Sequence, residues 1–552
     1  MKLTGFFTSV LLVIATFATA QVKYEAGPEL DNDKNNKLNR MIGSDDNNFY
    51  CYRIRSKGRG TSYYVEKYDK KALTLGFSQE ISLEDGDVDT KIEDVLFAQN
   101  NVYIFRRQYD KKEDKMTLFY QTVSSAGKVS TTLTPIVVVT ADHFEFVDFD
   151  IYLSPDKSKF LIKSCHKPDK SADYSSDFIL LDVTNGMAKK WTKNVKQRLS
   201  NNNNLQNVMS MFGLGSFVSK DMSFVGLYVD DAENVFYCYL DEAKNSSEKE
   251  KRYRLHMNTL YVNETVPKTV DLNFDDDYIV KDIEFHKGDN NSMVVGGFVK
   301  DIIERTGRDL VKVGIFSFKV DLKTNKVSSS VTNFFDDTML KALESSNKKS
   351  RYLNYKLDYI MPVGDAVYYV GEQYRETKVT TYSSYGSGFG SSSNTYWDYE
   401  YMDVIVAKLN SQGKFEWIKN VPLRNELRMN FAHVFKQYIA VSTNKNIYIL
   451  CNDHPKNIAR YEKADYEPSD LKSVSTIHGS NFVANAVDVK TGSITRSIVF
   501  ENDKYCFAPI QERNRQFIPP SECEIFQPGK NNDIYIYSED RGRDQFGRIT
   551  FQ

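Results

Sequence analysis

The sequence predicts an all-β fold, a single β-propeller most consistent with eight four-stranded blades, with seven as the alternative. Aromatic residues make up 13% of the 552 residues, and Tyr and Phe favour strands. A polar turn followed by a short apolar run recurs along the chain. A second strand–turn–strand pattern follows most of these copies. Four-stranded units repeated without regular helices are typical of propellers.

The first pattern predicts the inner hairpin of each blade. Its turns are rich in Asn, Asp and Gly, which tolerate the positive φ angles that tight hairpins need. A short apolar stretch precedes each turn, so each copy predicts strand, turn and strand. The eight copies begin at Asp45, Ala98, Ser154, Asp230, Gly288, Val363, Thr443 and Gly529.

The second pattern predicts the outer two strands of the blades. It has a Gly- or Asn-containing turn between two short strand-like runs. Examples are "KYDKKALTL" at Lys67, "LDVTNGMAKKW" at Leu181, "VDLKTNKV" at Val320, "KLNSQGKFEW" at Lys408 and "VDVKTGSIT" at Val487. Neighbouring blades would bury each other's faces, so no single blade is expected to be stable alone.

The two ends of the chain are predicted to meet in the last blade. The final unit offers only three strands, and the segment Val22–Ala26, "VKYEA", belongs to no unit of its own. We expect it to add the missing outer strand and so cover an exposed sheet edge. A frayed tail is the alternative.

The position of blade 4 decides the blade count. "VSKDMSF" at Val218 resembles the turn "LSPDKSKF" at Leu153. However, "DDAENVFYCY" at Asp230 matches the first copy better, so we place the turn there. The other choice would shift blade 4 and leave the count open.

Short motifs carry a resemblance to known propellers. "AVDVKTGSI" at Ala486 and "GKFEW" ending at Trp417 resemble the repeats of pyrroloquinoline-quinone-type (PQQ-type) propellers. "LSPDKSKFLI" at Leu153 resembles the turn of TolB-type propellers. Over nearly all of its mature length the chain is similar to uncharacterised exported propeller proteins of Bacteroidota-type bacteria. The resemblance implies a fold and no particular activity.

The N-terminus predicts export. Lys2 precedes a largely apolar stretch from Phe6 to Phe17, and Ala18-Thr19-Ala20 fits the small-x-small pattern of signal peptidase. We therefore expect residues 1–20 to be a signal peptide and residues 21–552 to be one propeller domain, periplasmic or secreted. An uncleaved anchor is the alternative. No later apolar run predicts a transmembrane span.

The net charge limits the classes of partner that the protein is expected to bind. Lys plus Arg is 72 and Asp plus Glu is 74, giving a net charge of -2, so no nucleic-acid partner is expected.

Three cysteines are expected to be buried thiols, because Cys51, Cys238 and Cys451 lie in apolar runs. Cys506 and Cys523 are the best candidates for a disulfide.

Motifs for catalysis, metal ions or cofactors are not recognisable in the sequence. The seven His residues form no close metal-binding pair, and no nucleophile elbow, P-loop or dinucleotide motif occurs. We predict no catalytic residue, metal or cofactor. Carboxylate clusters beginning at Leu30, Leu83 and Asp271 could bind Ca²⁺, with solvated turns as the alternative.

The segment 374–403 has the most distinctive composition in the chain. It is a Gly/Ser/Tyr-rich insertion between the second and third strands of blade 6, on the face where other blades also carry long polar segments. Elaborated loops on a rigid scaffold are frequent recognition sites. Its predicted binding residues are Tyr382, Tyr385, Phe389, Tyr396, Trp397 and Tyr399, together with Tyr401. A linker whose aromatic residues fold back on the blade is the alternative.

Three functions remain open from the sequence. We favour a non-enzymatic exported binding propeller that uses its loop-rich face for a protein or glycan ligand. The second hypothesis is an envelope enzyme, namely a hydrolase, lyase or quinone-dependent dehydrogenase, with its site at the mouth of the central channel. The third is a structural scaffold of the cell envelope. The sequence indicates no oligomeric state.

Replacing Ala20 by Leu is expected to block signal-peptide cleavage, because signal peptidase accepts only small side chains at that position. Intact-mass measurement of the exported wild-type chain should give a mature protein beginning at Gln21. The control Thr19→Leu, at the tolerant middle position, should be processed normally. Equal processing of both variants would contradict the predicted cleavage site.

Overall fold

The structure of the protein is a computed structural model. It describes residues 22–31, 36–57, 60–85, 88–140, 148–166, 173–198, 224–242, 253–274, 278–280, 283–288, 291–303, 310–342, 354–384, 391–429, 437–461, 470–474, 477–504, 507, 526–528, 533–540 and 542–551. These residues are mainly strands, with two short helices among them. None of the described helices is long and apolar enough to cross a membrane.

The first strand, β1 (Val22–Asp31), precedes four blades in the first half of the chain. Blade 1 contains β2 (Asn36–Ser44), β3 (Asn48–Lys57), β4 (Gly60–Asp69) and β5 (Leu75–Ile81), and a small hairpin of β6 (Glu84–Asp85) and β7 (Val88–Asp89) follows it. Blade 2 contains β8 (Lys91–Ala98), β9 (Asn101–Asp110), β10 (Lys115–Ser124) and β11 (Thr134–Thr140). Blade 3 contains β12 (Asp148–Leu153), β13 (Lys159–His166), β14 (Asp173–Asp182) and β15 (Ala188–Arg198). Blade 4 contains β16 (Phe224–Val229), β17 (Val235–Glu242), β18 (Tyr253–Leu260) and β19 (Lys268–Leu272).

Four further blades complete the ring. Blade 5 contains β20 (Ile279–Val280), β21 (Glu284–Gly288), β22 (Ser292–Ile303), β23 (Leu310–Asp321) and β24 (Lys326–Phe334), with α1 (Asp337–Ala342) after it. Blade 6 contains β25 (Asn354–Val363), β26 (Ala366–Ser384), β27 (Ser391–Leu409), β28 (Phe415–Val421) and β29 (Asn425–Met429). Blade 7 contains β30 (Tyr438–Ser442), β31 (Asn446–Asp453), α2 (Pro455–Tyr461), β32 (Asn481–Asp488) and β33 (Ile494–Glu501). Blade 8 contains β34 (Phe526–Pro528), β35 (Ile534–Asp540), β36 (Arg543–Phe551) and β1.

The eight-bladed propeller predicted from the sequence is confirmed. Each blade is an antiparallel sheet, and in blades 1 to 7 the strands follow one another along the chain from the inner to the outer position. The turn at Asp230 joins the first two strands of blade 4, β16 and β17, as predicted. In blade 5 the inner position is shared by β20 and β21, which both pair with β22.

The N-terminal strand β1 supplies the outer strand of blade 8. It pairs antiparallel with β36, from Val22 opposite Phe551 to Asp31 opposite Arg543. A bulge interrupts the ladder between Ala26 and Glu29. Gly27 lies in this bulge because a Cβ atom there would stand 2.6 Å from the Cβ of Leu73 in blade 1. Blade 8 is thus built from both ends of the described chain.

Eight apolar clusters hold the ring together, one at each boundary between consecutive blades. The second strand of a blade contributes to two of them, because its side chains alternate between the two faces of the sheet. In β3, Phe49 and Cys51 pack toward blade 8, whereas Tyr50 and Tyr52 pack toward blade 2. Because both faces of the second strands are buried, the sequences of these strands are continuous apolar runs and do not alternate between apolar and polar residues.

The three cysteines that were predicted to be buried thiols are confirmed as free thiols within the apolar clusters. Cys51, Cys238 and Cys451 are all buried and unpaired. Burial raises the pKa of the Cys451 thiol to about 12, which keeps it protonated and unreactive at neutral pH. The proposed pair Cys506 and Cys523 lies outside the described residues.

Buried charges cross the boundary where the ring closes. Arg53 in β3 donates from Nε to Oε2 of Glu66 at 2.7 Å and from Nη2 to Oδ2 of Asp544 at 2.6 Å. The hydroxyl groups of Tyr68 and Tyr537 donate to the same two carboxylates, at 2.7 Å each. The three charged side chains are at most 3% exposed. The network therefore fixes blade 1 against blade 8 in one orientation.

Replacing Arg53 by Leu should destabilise the protein by about 3–5 kcal/mol, because Glu66 and Asp544 would lose their buried counter-charge. The matched control is Arg55→Leu, which removes an arginine 3.3 Å from the same Glu66 but 31% exposed. Its expected cost is below about 1 kcal/mol. Denaturant unfolding measures both. Equal effects would contradict the closing role of Arg53.

Candidate binding surface

A long hairpin in blade 6 extends beyond the body of the propeller. Strand β25 pairs with β26 only as far as Asn354 opposite Tyr374, whereas β26 continues to Ser384 and pairs with β27 throughout. The ten residues from Arg375 to Ser384 span roughly 33 Å at about 3.3 Å per residue. We call Arg375–Ser384, Ser391–Tyr401 and β29 together the ribbon.

The insertion 374–403 is therefore mainly two paired strands, although its composition suggested a loop. Thr, Val, Tyr and Trp line both strands from Thr377 to Ser384 and from Thr395 to Tyr401, and these residue types favour extended backbone. The Gly and Ser residues that suggested a loop are concentrated in residues 386–393, of which 386–390 lie outside the described residues.

The third strand of the ribbon comes from the connection between blades 6 and 7. β29 pairs with β27, from Asn425 opposite Tyr401 to Met429 opposite Trp397. Val474 of blade 7 joins it, because its backbone N–H donates to the carbonyl of Arg424 at 2.6 Å. The base of the ribbon is thus hydrogen-bonded to two blades.

The inward face of the ribbon packs into the apolar cluster between blades 6 and 7. Tyr399 and Tyr401 are each 1% exposed, and Trp397 and Leu427 pack beside them. Ile458 of α2 lies in the same cluster. Tyr399, predicted as a binding residue, is therefore an internal anchor of the ribbon.

The outward face carries charged side chains that pair across the strands. Arg428 donates from Nε and Nη2 to the two carboxylate oxygens of Asp398, at 2.7 and 3.1 Å. Its guanidinium lies 4.0 Å from the centre of the Tyr396 ring. Arg375 forms an ion pair with Glu400 on the same face. Hydrogen bonding to Asp398 raises the pKa of Arg428, although 62% of this side chain is exposed.

The predicted aromatic residues thus divide between the two faces. Tyr396 stacks on Arg428 at the outward face, whereas Trp397 lies on the inward face with Lys378 5.5 Å from its ring. Tyr382 belongs to β26, opposite Ser393. Tyr385 and Phe389 lie outside the described residues. The sequence did not indicate Arg428, because it lies thirty positions after its partner Asp398.

A second group of buried charges lies beneath the ribbon. Asp403 accepts hydrogen bonds from Arg424 at 2.5 Å and from Asn420 at 3.0 Å. Burial raises the pKa of Asp403, and the two donors oppose that effect. Arg496 binds Asp453 at 3.0 Å. Arg496 also donates to the carbonyl of Pro422 at 3.4 Å, and this contact links blade 7 to the segment that follows β28 at the base of the ribbon.

Two contacts of inner-strand side chains cross from one blade to the next. Arg40 of blade 1 forms an ion pair with Asp94 of blade 2. Asp358 of blade 6 accepts a hydrogen bond from Tyr438 of blade 7 at 2.6 Å. Within the described ranges, no group of three or more His, Cys, Asp or Glu side chains could hold a metal ion.

Besides a cavity of about 300 Å³ lined by Gly364 and Asn444, two larger surface cavities of the described residues lie near blades 6 and 7. One of about 420 Å³ opens between their inner turns and is lined by Tyr368, Lys408 and Glu416, among others. The other, of about 520 Å³, lies beside α2 and is lined by Ile458 and Asn502, among others. The charged outward face of the ribbon contributes to neither cavity.

Comparison with known proteins finds similarity to solved structures. No protein-family model and no curated protein matches the sequence. Similar solved structures include one from a study of two prolyl endopeptidases, with 11% identity over 93% of this chain and a TM-score of 0.33. The chain spans about half of that protein, 54% of its length.

Two further similar structures are isolated propeller domains. The β-propeller domain of the Trilobed protease from Pyrococcus furiosus has 7% identity, covers 84% of this chain and 97% of that domain, and gives a TM-score of 0.32. The WD40 domain of SCAP from fission yeast has 10% identity, covers 96% and 94%, and gives 0.34. At such identity these similarities concern the fold alone.

Replacing Tyr399 by Ala should destabilise the protein by about 3–5 kcal/mol, the usual cost of removing a buried aromatic ring. Tyr396→Ala, three residues earlier on the outward face, should cost about 1 kcal/mol or less. Denaturant unfolding of the two variants tests this division of the ribbon into an anchored face and an exposed face. A larger loss for Tyr396→Ala would contradict it.

Proposed function

We propose that the protein is an exported, non-enzymatic binding propeller whose ribbon recognises a protein ligand. The observation that carries the proposal is the position of Arg428, which stays largely exposed while Asp398 and Tyr396 hold it in one orientation. A side chain that is already ordered loses little conformational entropy on binding. Arg and Tyr are also the residue types most enriched at binding hot spots.

The composition of the outward face favours a protein over a glycan. Positive and negative groups are mixed on it: Arg375 lies opposite Glu400, Arg428 lies opposite Asp398, and Glu426 lies on the other side of Glu400. Such a mixed-charge pattern gives specificity to protein contacts through complementary charges. The one aromatic ring on this face with a described side chain, Tyr396, already contacts Arg428. Export of the mature chain would place the ribbon in the periplasm or outside the cell.

A double substitution on the outward face tests the proposal. Tyr396→Ala with Arg428→Glu removes the ring and reverses the charge, while the buried anchor Tyr399 is left intact. The immobilised wild-type protein would be exposed to an envelope extract and, in parallel, to a glycan array. We expect at least one specific protein ligand, and a loss of about 30-fold or more in affinity for the double variant, as for hot-spot residues.

The matched control is Lys445→Glu, which makes the same charge reversal on an exposed turn of blade 7 at the other face of the ring. It should bind like the wild type. Equal ligand affinity of the wild type and the double variant would exclude the ribbon as the binding surface. Binding to glycans alone would exclude a protein ligand.

A further inference from the structure

The outer strand of blade 2 differs in charge from every other outer strand of the ring. Seven of the eight outer strands contain at least one Lys, Arg, Asp or Glu, and β11 contains none. Charged side chains on edge strands prevent pairing with other chains. The sequence of β11 is TPIVVVT, in which every residue except Pro135 is β-branched and therefore favours strands.

The free edge of β11 is suited to receive another strand. β11 is hydrogen-bonded to β10 on one side, and no described strand pairs with its other side. Pro135 stands near the start of the strand, so Ile136–Thr140 all keep their backbone N–H groups. Val138 is 58% exposed, while Val137 and Val139 pack into the cluster between blades 2 and 3. Packing of these two neighbours holds the exposed edge in extended form.

We propose that β11 pairs with β11 of a second copy of this chain, antiparallel across a two-fold axis. In such a pairing each residue lies opposite a residue of its own strand, so any charged residue near the axis meets its own kind. In β11 only β-branched side chains would meet, and such cross-strand pairs are stabilising. The two sheets would then continue as one sheet through the dimer.

The absence of charge on β11 favours a second copy of the chain as its pairing partner, and it favours β11 over the other outer strands as the strand that pairs. Self-pairing of β15, AKKWTKNVKQR, would bring Lys and Arg side chains against one another. β33, ITRSIVFE, contains Arg496 and Glu501, charged edge residues of the kind that limit pairing with other chains. A neutral β11 carries no charge that would select the strand of a different protein. Identity of the two strands is sufficient for complementarity.

The dimer would leave the ribbon accessible. Blades 2 and 6 lie on opposite sides of a ring of eight blades, because three blades separate them in either direction. The two ribbons of a dimer would therefore lie far from the pairing strands. Since a single pair of short strands is a small interface, we expect a dimer that dissociates on dilution and not an obligate one.

Analytical ultracentrifugation of the mature chain over a range of concentrations tests the proposal. The wild type should change reversibly from monomer to dimer as concentration rises. Val138→Lys places two lysines near each other across the axis and should weaken dimerisation at least tenfold. Val266→Lys is the matched control, since Val266 is 69% exposed but lies outside the strands, and it should dimerise like the wild type.

Hydrogen exchange on the wild type gives a test that needs no variant. The backbone N–H groups of Ile136–Thr140 that point away from β10 should exchange more slowly at high protein concentration, whereas those of β33 should not change. A wild type that stays monomeric at all concentrations would overturn the proposal. A dimer that Val138→Lys leaves unchanged, or one without protection in β11, would overturn it as well.

Discussion

The structure depends on one constraint: each blade is an apolar sheet on both faces and must be covered on both. Eight apolar clusters meet this need, one at each boundary. A linear row of such sheets would expose one face of its first and last members. The ring avoids this exposure, and the pairing of β1 with β36 joins the two ends of the chain in a single blade.

Buried ion pairs at the ring closure and beneath the ribbon act on the same principle. Arg53 bridges Glu66 and Asp544 at the boundary between blades 8 and 1, and Asp403 binds Arg424 beneath the ribbon. A buried ion pair adds little net stability over apolar packing, but it strongly penalises any arrangement that separates its members. We infer that these pairs select one orientation where the sheets alone would permit sliding: at the closure, and at the base of the longest hairpin.

The fold was largely predictable because its signals are local. Turn residues next to apolar runs located the blades, and "VKYEA" at Val22 identified the closing strand. The candidate site was less predictable. Alternation along β27 puts the buried Tyr399 and the half-buried Tyr396 on opposite faces, yet only the packing of α2 and blade 7 determines which face is covered. The contact between Asp398 and Arg428 depends on β29 pairing with β27, and a segment of five residues gives no sequence signal for its partner.

The central claim is that the ring is closed by the N-terminal strand. Nitroxide labels on cysteines substituted for Lys23 and Thr550, which are directly opposite each other in the β1–β36 ladder, test it in solution. Paired residues have Cα atoms about 5 Å apart, so the doubly labelled protein should show strong dipolar broadening of its EPR spectrum. A spectrum equal to the sum of the two singly labelled proteins would show that the ends are apart and would contradict the closed ring.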